Sequence, residues 1–207
     1  MYGHRFSIGF FLIVAVFVVM IDSIHSIEAQ SYSGIPSLPT YKAQRLFHPP
    51  FIDGKVDSLW QVLPWSEPLK RFRGGKDEAL ERLSVRFKVG YTNEALYLLV
   101  EGTPGAYLKG NFPLFVHHDE PIWQDIAVEV FISPQQFYPG YYQFITNRID
   151  ARFEHRNKEN PKIYNAYWES AYHETPTQWN FEIAIPFQSL ETQLPEEGEK
   201  WRFNITY

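Results

Sequence analysis

The densest group of residues able to do chemistry runs from His117 to Phe131, HHDEPIWQDIAVEVF. From Asp125 onward the pattern alternates. Ile126, Val128, Val130 and Ile132 form one apolar row, which leaves Asp125, Ala127, Glu129 and Phe131 on the other side. A second outward row comes from Tyr141, Gln143, Ile145 and Asn147. If the two strands are neighbours, one sheet face presents Trp123, carboxylates, an amide pair and tyrosine together. That mixture suits a sugar. A pyranose has an apolar C–H face, which meets a flat aromatic ring through dispersion and the ring quadrupole. Its rim of hydroxyls meets carboxylates and amides, which accept and donate in bidentate geometry. The candidate contacts are therefore Trp123, Glu129, Gln143, Asn147 and Asp125. Trp123 and Glu129 are six residues apart, about 20 Å in a fully extended chain. They meet one ligand only if the chain bends at Pro121–Gln124.

Other chemistries fit less well. Glycoside hydrolysis needs two carboxyl groups roughly 5 to 9.5 Å apart. Asp125 and Glu129 share a face, but four extended residues separate them by about 13 Å. Asp119 or Glu120 could approach through the loop. The run His117-His118-Asp119-Glu120 is also a candidate cation site, favouring calcium over zinc if carboxylates and backbone oxygens bind. Haem ligation would have to pair His117 or His118 with a distant His155 or His173. Both methionines, Met1 and Met20, lie in the N-terminal segment, and the chain has no cysteine. Thiolate zinc sites and thiol catalysis are thereby excluded. No nucleophile elbow, phosphate loop or dinucleotide fingerprint occurs. The net charge is −5 with no basic block, so nucleic acid is not an expected partner.

The elements that must position these residues read as strands. Leu83–Tyr91 and Leu96–Val100 alternate around a turn at Thr92-Asn93-Glu94, a hairpin with one wet face. Ile126–Ile132 gives a third strand. Tyr142, Phe144 and Thr146 mark a fourth, and Ile149, Ala151 and Phe153 a fifth. Trp168–Tyr172 is a weaker strand. Trp179–Ile185 and Trp201–Tyr207 are clear ones. Trp168, Trp179 and Trp201 are expected in the core. Short helical turns are expected at Val56–Val62 and, after Pro186, at Phe187–Leu190. Many short strands separated by turn residues define an all-β fold of two antiparallel sheets packed core to core.

The N-terminus has a different character. Arg5, the apolar run Ile8–Ile21 and the small polar stretch to Ala29 follow the order of a secretory signal peptide. The run is shorter than the roughly 20 residues a spanning helix needs. The expected division is a signal peptide at 1–29, cleaved after Ala29 or Ser26, a flexible leader at 30–45 and one domain at 46–207. The product would be secreted, periplasmic or held at the cell surface, with no membrane contact after the signal is removed. The chain stops at Tyr207 within a strand pattern. The expectation is a missing last strand or C-terminal segment, or a last strand at a sheet edge. Asn204-Ile205-Thr206 matches an N-glycosylation pattern.

Several segments, in order, resemble carbohydrate-binding module family 9 and its relatives with the DOMON-like sandwich. They are FIDGKVDSLWQ from Phe51, RFKVGYTNEALYLLVEG, PIWQDIAVEVFISP, YYQFITN, WNFEIAIPFQSL and GEKWRFNITY. The resemblance implies an immunoglobulin-like antiparallel β-sandwich and a non-catalytic sugar site, in which two tryptophans clamp a terminal ring. Trp123 matches the first of the pair, Glu129 the strand glutamate that holds hydroxyls, and Gln143 and Asn147 polar positions of the next strand. The sequence departs from the pattern at Ile145, where sugar-binding examples carry arginine. The second clamp tryptophan belongs to a segment beyond Tyr207. Family members can also bind calcium, but its ligands do not map onto this chain. A structural or adhesive module without sugar affinity is the alternative function.

Overall fold

The computed structural model describes residues 17–21 (backbone only), 39–70, 84–103, 113–134, 140–156 and 164–207. Its strands are β1 (Phe17–Ile21), β2 (Thr40–Arg45), β3 (Val85–Tyr91), β4 (Ala95–Gly102), β5 (Ala127–Ser133), β6 (Tyr142–Asn147), β7 (Arg152–Arg156), β8 (Glu169–Glu174), β9 (Trp179–Pro186) and β10 (Lys200–Thr206). The two turns expected to be helical are short 3-10 turns, Ser58–Val62 and Phe187–Leu190. Among the described residues no helix is long and apolar enough to cross a membrane.

The strands run in the order β7-β6-β5-β10-β1-β2-β3-β4-β9-β8. Sheet A comprises β7, β6, β5 and β10, all antiparallel neighbours. Sheet B comprises β3, β4, β9 and β8, also antiparallel. Strand β1 pairs antiparallel with β10 and parallel with β2, which joins β3 in parallel. The alternating rows explain why the sheets stack. Val128, Val130, Ile132, Phe144, Trp201, Phe203 and Ile205 of sheet A meet Phe87, Val89, Leu98, Val100, Phe181 and Ile183 of sheet B in one buried cluster. Trp168, Trp179 and Trp201 are all buried in it, as expected.

The structure corrects two expectations and qualifies a third. The β3–β4 hairpin has no wet face: its outer side carries a second apolar cluster of Leu46, Trp60, Leu63, Tyr97, Leu99 and Ala184. Residues 46–65 lie over that face, a long-range packing that the hairpin's own pattern does not encode. The leader reading fails from Thr40, since Thr40–Arg45 is a strand with Tyr41 and Ala43 buried. In the full chain β10 is internal, between β5 and β1, but β1 falls within the segment read as a signal peptide, and β10 is an edge strand once that segment is removed. Of the signal-peptide reading, Phe17–Ile21 forms β1, while residues 1–16 and 22–29 lie outside the described residues, as do leader residues 30–38 and Leu83.

Candidate functional site

The outer face of sheet A is built by register. With Val128, Val130 and Ile132 turned inward, Glu129 and Phe131 point out. Across the strands, one row reads Thr206, Glu129, Ile145, Phe153, and the next reads Asn204, Phe131, Gln143, His155. The expected neighbours, β5 and β6, are therefore real neighbours, and Glu129 and Gln143 meet: the Gln143 amide donates to the Glu129 carboxylate at 2.7 Å. Burial pushes the Glu129 carboxyl above the usual glutamate range, against the hydrogen bonds from Gln143 and Thr206 that pull it down. Both side chains stay half-buried, with surface toward solvent.

The bend needed to bring Trp123 in is present as a 3-10 turn, Ile122–Gln124, following Pro121. The turn drives Ile122 into the sheet and leaves Trp123 46% exposed. The indole sits edge-on to Phe153, ring centroids 5.0 Å apart. Phe153 and Glu129 are separated in the row only by Ile145. Two strand spacings, about 10 Å, separate Glu129 from Phe153, and the Trp123 ring lies a further 5.0 Å from Phe153 between ring centroids.

Ile145 is fully buried, together with Ile122, Ala127, Ala151 and Phe153. It forms the floor on which the 113–126 segment packs, so a long cation would have no room there in this arrangement.

Two of the expected contacts are occupied by this packing. The Asp125 carboxylate accepts from the backbone N–H of Leu114 at 2.9 and 3.1 Å and of Phe115 at 3.1 Å, and from the Asn147 amide at 3.2 Å. The buried Asn147 amide also donates to the Phe115 carbonyl, and its oxygen accepts from Ile149 and Ala151 N–H. These residues hold the loop that carries Trp123. Their polar atoms are committed to the protein, a satisfied buried network.

The HHDE run is tied down in the same way. Glu120 accepts from the Val116 and His117 N–H at 2.8 and 2.9 Å, which lowers its carboxyl pKa. His118 Nδ1 accepts from Arg152 N–H at 3.0 Å, and Asp119 N–H donates to the Arg152 carbonyl. Among the described residues, no group of three or more acidic or histidine side chains converges as a metal site. Calcium therefore has no assigned ligands here.

Sequence reasoning placed Phe131 and Tyr141 on this face without making them sugar contacts, and it passed over His155, Asn204 and Thr206 as sugar contacts, although all five are half-buried there. Tyr141 contacts both Phe131, at 5.6 Å, and His155, at 6.5 Å between ring centroids. The signal for Asn204 and Thr206 was available: with Trp201, Phe203 and Ile205 inward, alternation turns them outward.

The described residues thus form a two-sheet sandwich whose sheet B outer face is covered by residues 46–65 and whose sheet A outer face carries the half-buried Glu129–Gln143 pair. The carbohydrate family 9 binding domain-like family model matches residues 52–207, and the chain belongs to that family. Its modules are non-catalytic carbohydrate-binding domains. Comparison with curated proteins gives no match. Among solved structures, the fold is similar to a family 9 carbohydrate-binding module from Caldicellulosiruptor kristjanssonii in complex with glucose. The TM-score is 0.52 at 19% identity, covering 78% of this chain and 75% of that one. The module in complex with cellotriose gives 0.51 at 18%, covering 79% and 74%. A putative carbohydrate-binding protein from Bacteroides uniformis ATCC 8492 gives 0.56 at 16%, covering 79% and 80%.

Proposed function

We propose that this chain is an exported, non-catalytic module that holds carbohydrate on the outer face of sheet A and supports polysaccharide use. A sugar ring stacks on Trp123, and its hydroxyls meet Glu129 and Gln143. The observation that carries this reading is the Glu129–Gln143 pair, half-buried beside an exposed tryptophan. The Gln143 amide oxygen and the acceptor positions of Glu129 not used by Gln143 and Thr206 are left to meet hydroxyl groups, since a carboxylate accepts at about four lone-pair sites. Partial burial strengthens such contacts, because water competes less for them. Family membership supports the reading, and so does the sugar in the complexes of two similar folds. Export rests on the n, h and c order of residues 1–29.

The test is tryptophan fluorescence of the purified chain, titrated with glucose, cellobiose and xylobiose, with Trp123→Ala beside it. A saturable change in the wild type that disappears in the variant supports the site. A folded wild type that responds to none of the three favours a structural or adhesive module.

A further inference from the structure

The face that carries Trp123 is longer than one sugar ring. Trp123 and Phe153 make an aromatic group at one end. Phe131, Tyr141 and His155 make a second group, linked by ring contacts of 5.6 and 6.5 Å. Phe153 and His155 stand two residues apart on the same side of β7, about 7 Å along the strand, and Tyr141 lies a further 6.5 Å from His155 between ring centroids. One pyranose cannot stack on both groups.

Between them lie the polar groups. Gln143 sits between Phe131 and His155 in its row, and it reaches diagonally to Glu129 in the row of Phe153. The second group is not closed off as a core would be. Phe131 and Tyr141 are half-buried and meet edge to face, with an interplanar angle of 63°. The Tyr141 hydroxyl has no hydrogen-bond partner among the described residues, and neither has the Asn204 amide in the adjacent row of Phe131 and Gln143. Half-buried rings beside uncommitted hydroxyl and amide groups repeat, at the far end of the strip, the chemistry found at Trp123.

We propose that the face takes an oligosaccharide of three or more units, lying across sheet A from Trp123 to Tyr141. Trp123 stacks one ring, the Tyr141–Phe131 pair stacks another, and the Glu129–Gln143 pair holds hydroxyls between them. This rests on the sugar-binding reading above.

The experiment is calorimetric titration of the whole chain with gluco- and xylo-oligosaccharides of one to four units, using wild type, Tyr141→Ala, Tyr141→Phe and Trp123→Ala. Thermal melts of each variant confirm folding. The wild type should bind the trimer about tenfold more tightly than the monosaccharide, the scale of one added aromatic contact with its hydrogen bonds. Tyr141→Ala should erase that gain and leave monosaccharide binding intact, and Tyr141→Phe should keep most of it. Trp123→Ala should weaken every length. Equal affinity for all lengths in the wild type overturns the extended site while leaving the single-ring site standing. So does a Tyr141→Ala loss that is the same for one unit as for three. If no sugar of either series binds, both readings fall together.

Discussion

Both outer faces of the sandwich carry a tryptophan and a glutamate, and the two pairs do opposite things. On sheet B, the Glu182 carboxylate accepts from Asp53 N–H at 3.0 Å, Gly54 N–H at 2.7 Å and the Trp60 indole at 2.7 Å. Trp60 and Glu182 are fully buried. Lys88 reaches the Trp60 carbonyl at 2.7 Å and lies over the Trp65 ring. Gly54 adopts φ 79°, and a Cβ there would stand 2.7 Å from the Tyr172 backbone, so the turn accepts only glycine. Every polar atom of that carboxylate is committed to fastening the 46–65 segment over β4 and β9. On sheet A, Glu129 has the Gln143 amide and the Thr206 hydroxyl around it, and Trp123, packed on Phe153 of the same face, stays open to water. The same two residue types are locked into a buried clasp on sheet B and left partly open to solvent on sheet A.

The comparison breaks most visibly at the clasp. Trp60→Ala should cost about 3–5 kcal/mol of stability, the range for deleting a buried aromatic side chain, measured by urea unfolding. It should leave the sugar affinity of the folded fraction unchanged. Glu182→Ala orphans two buried donors, Gly54 N–H and the Trp60 indole, and the part-buried Asp53 N–H, at about 1–3 kcal/mol for each buried one, and a loss of about 3 kcal/mol or more is expected in the same assay.

On the other face the order reverses. Trp123→Ala should change stability by less than about 1 kcal/mol, as for a surface side chain with one ring contact, yet weaken sugar binding at least tenfold. Glu129→Gln keeps the shape and removes the charge, and a smaller loss, roughly fivefold, is expected from the weaker hydrogen bonds.

The two glutamates should also differ in pH response. Burial pushes Glu182 up to about 7, against the three N–H groups that pull it down. The folded chain therefore holds this proton to higher pH than the unfolded chain does. Its contribution to stability is complete below the ordinary glutamate range and is lost as pH rises through about 7. Unfolding midpoints followed from pH 4 to 8 should show this decline, and Glu182→Gln should flatten it. Glu129 is also raised. Sugar affinity should fall on acidification, beginning above the pH at which an ordinary glutamate protonates, because the proton removes a charged acceptor.

Local patterning made much of this legible. Period-two rows gave the strands of both sheets and the buried places of Trp179 and Trp201, since a strand's inward side is readable from its own residues. The bend at Pro121–Gln124 followed from the demand that Trp123 and Glu129 share a ligand. What alternation cannot report is which outward face is covered. Alternation puts Glu182 on the outward side of β9, and its partners are more than 120 positions away in sequence. Asp125 and Asn147 looked like sugar contacts because type and parity were right, but the loop they hold consumes their hydrogen bonds. Phe153 of β7 and Ala151 just before it are apolar because they underlie that loop. The inward Glu154 accepts from the Trp168 indole at 2.9 Å.

The most direct test of the two-face account is the melting temperature of wild type, Trp123→Ala and Trp60→Phe, each with and without saturating cellotriose. A ligand that binds only the folded state raises the midpoint. The account predicts that cellotriose stabilises wild type and Trp60→Phe alike, while Trp123→Ala melts near wild type without sugar and gains nothing from it. A Trp123→Ala variant that keeps the full sugar-induced rise would contradict the account.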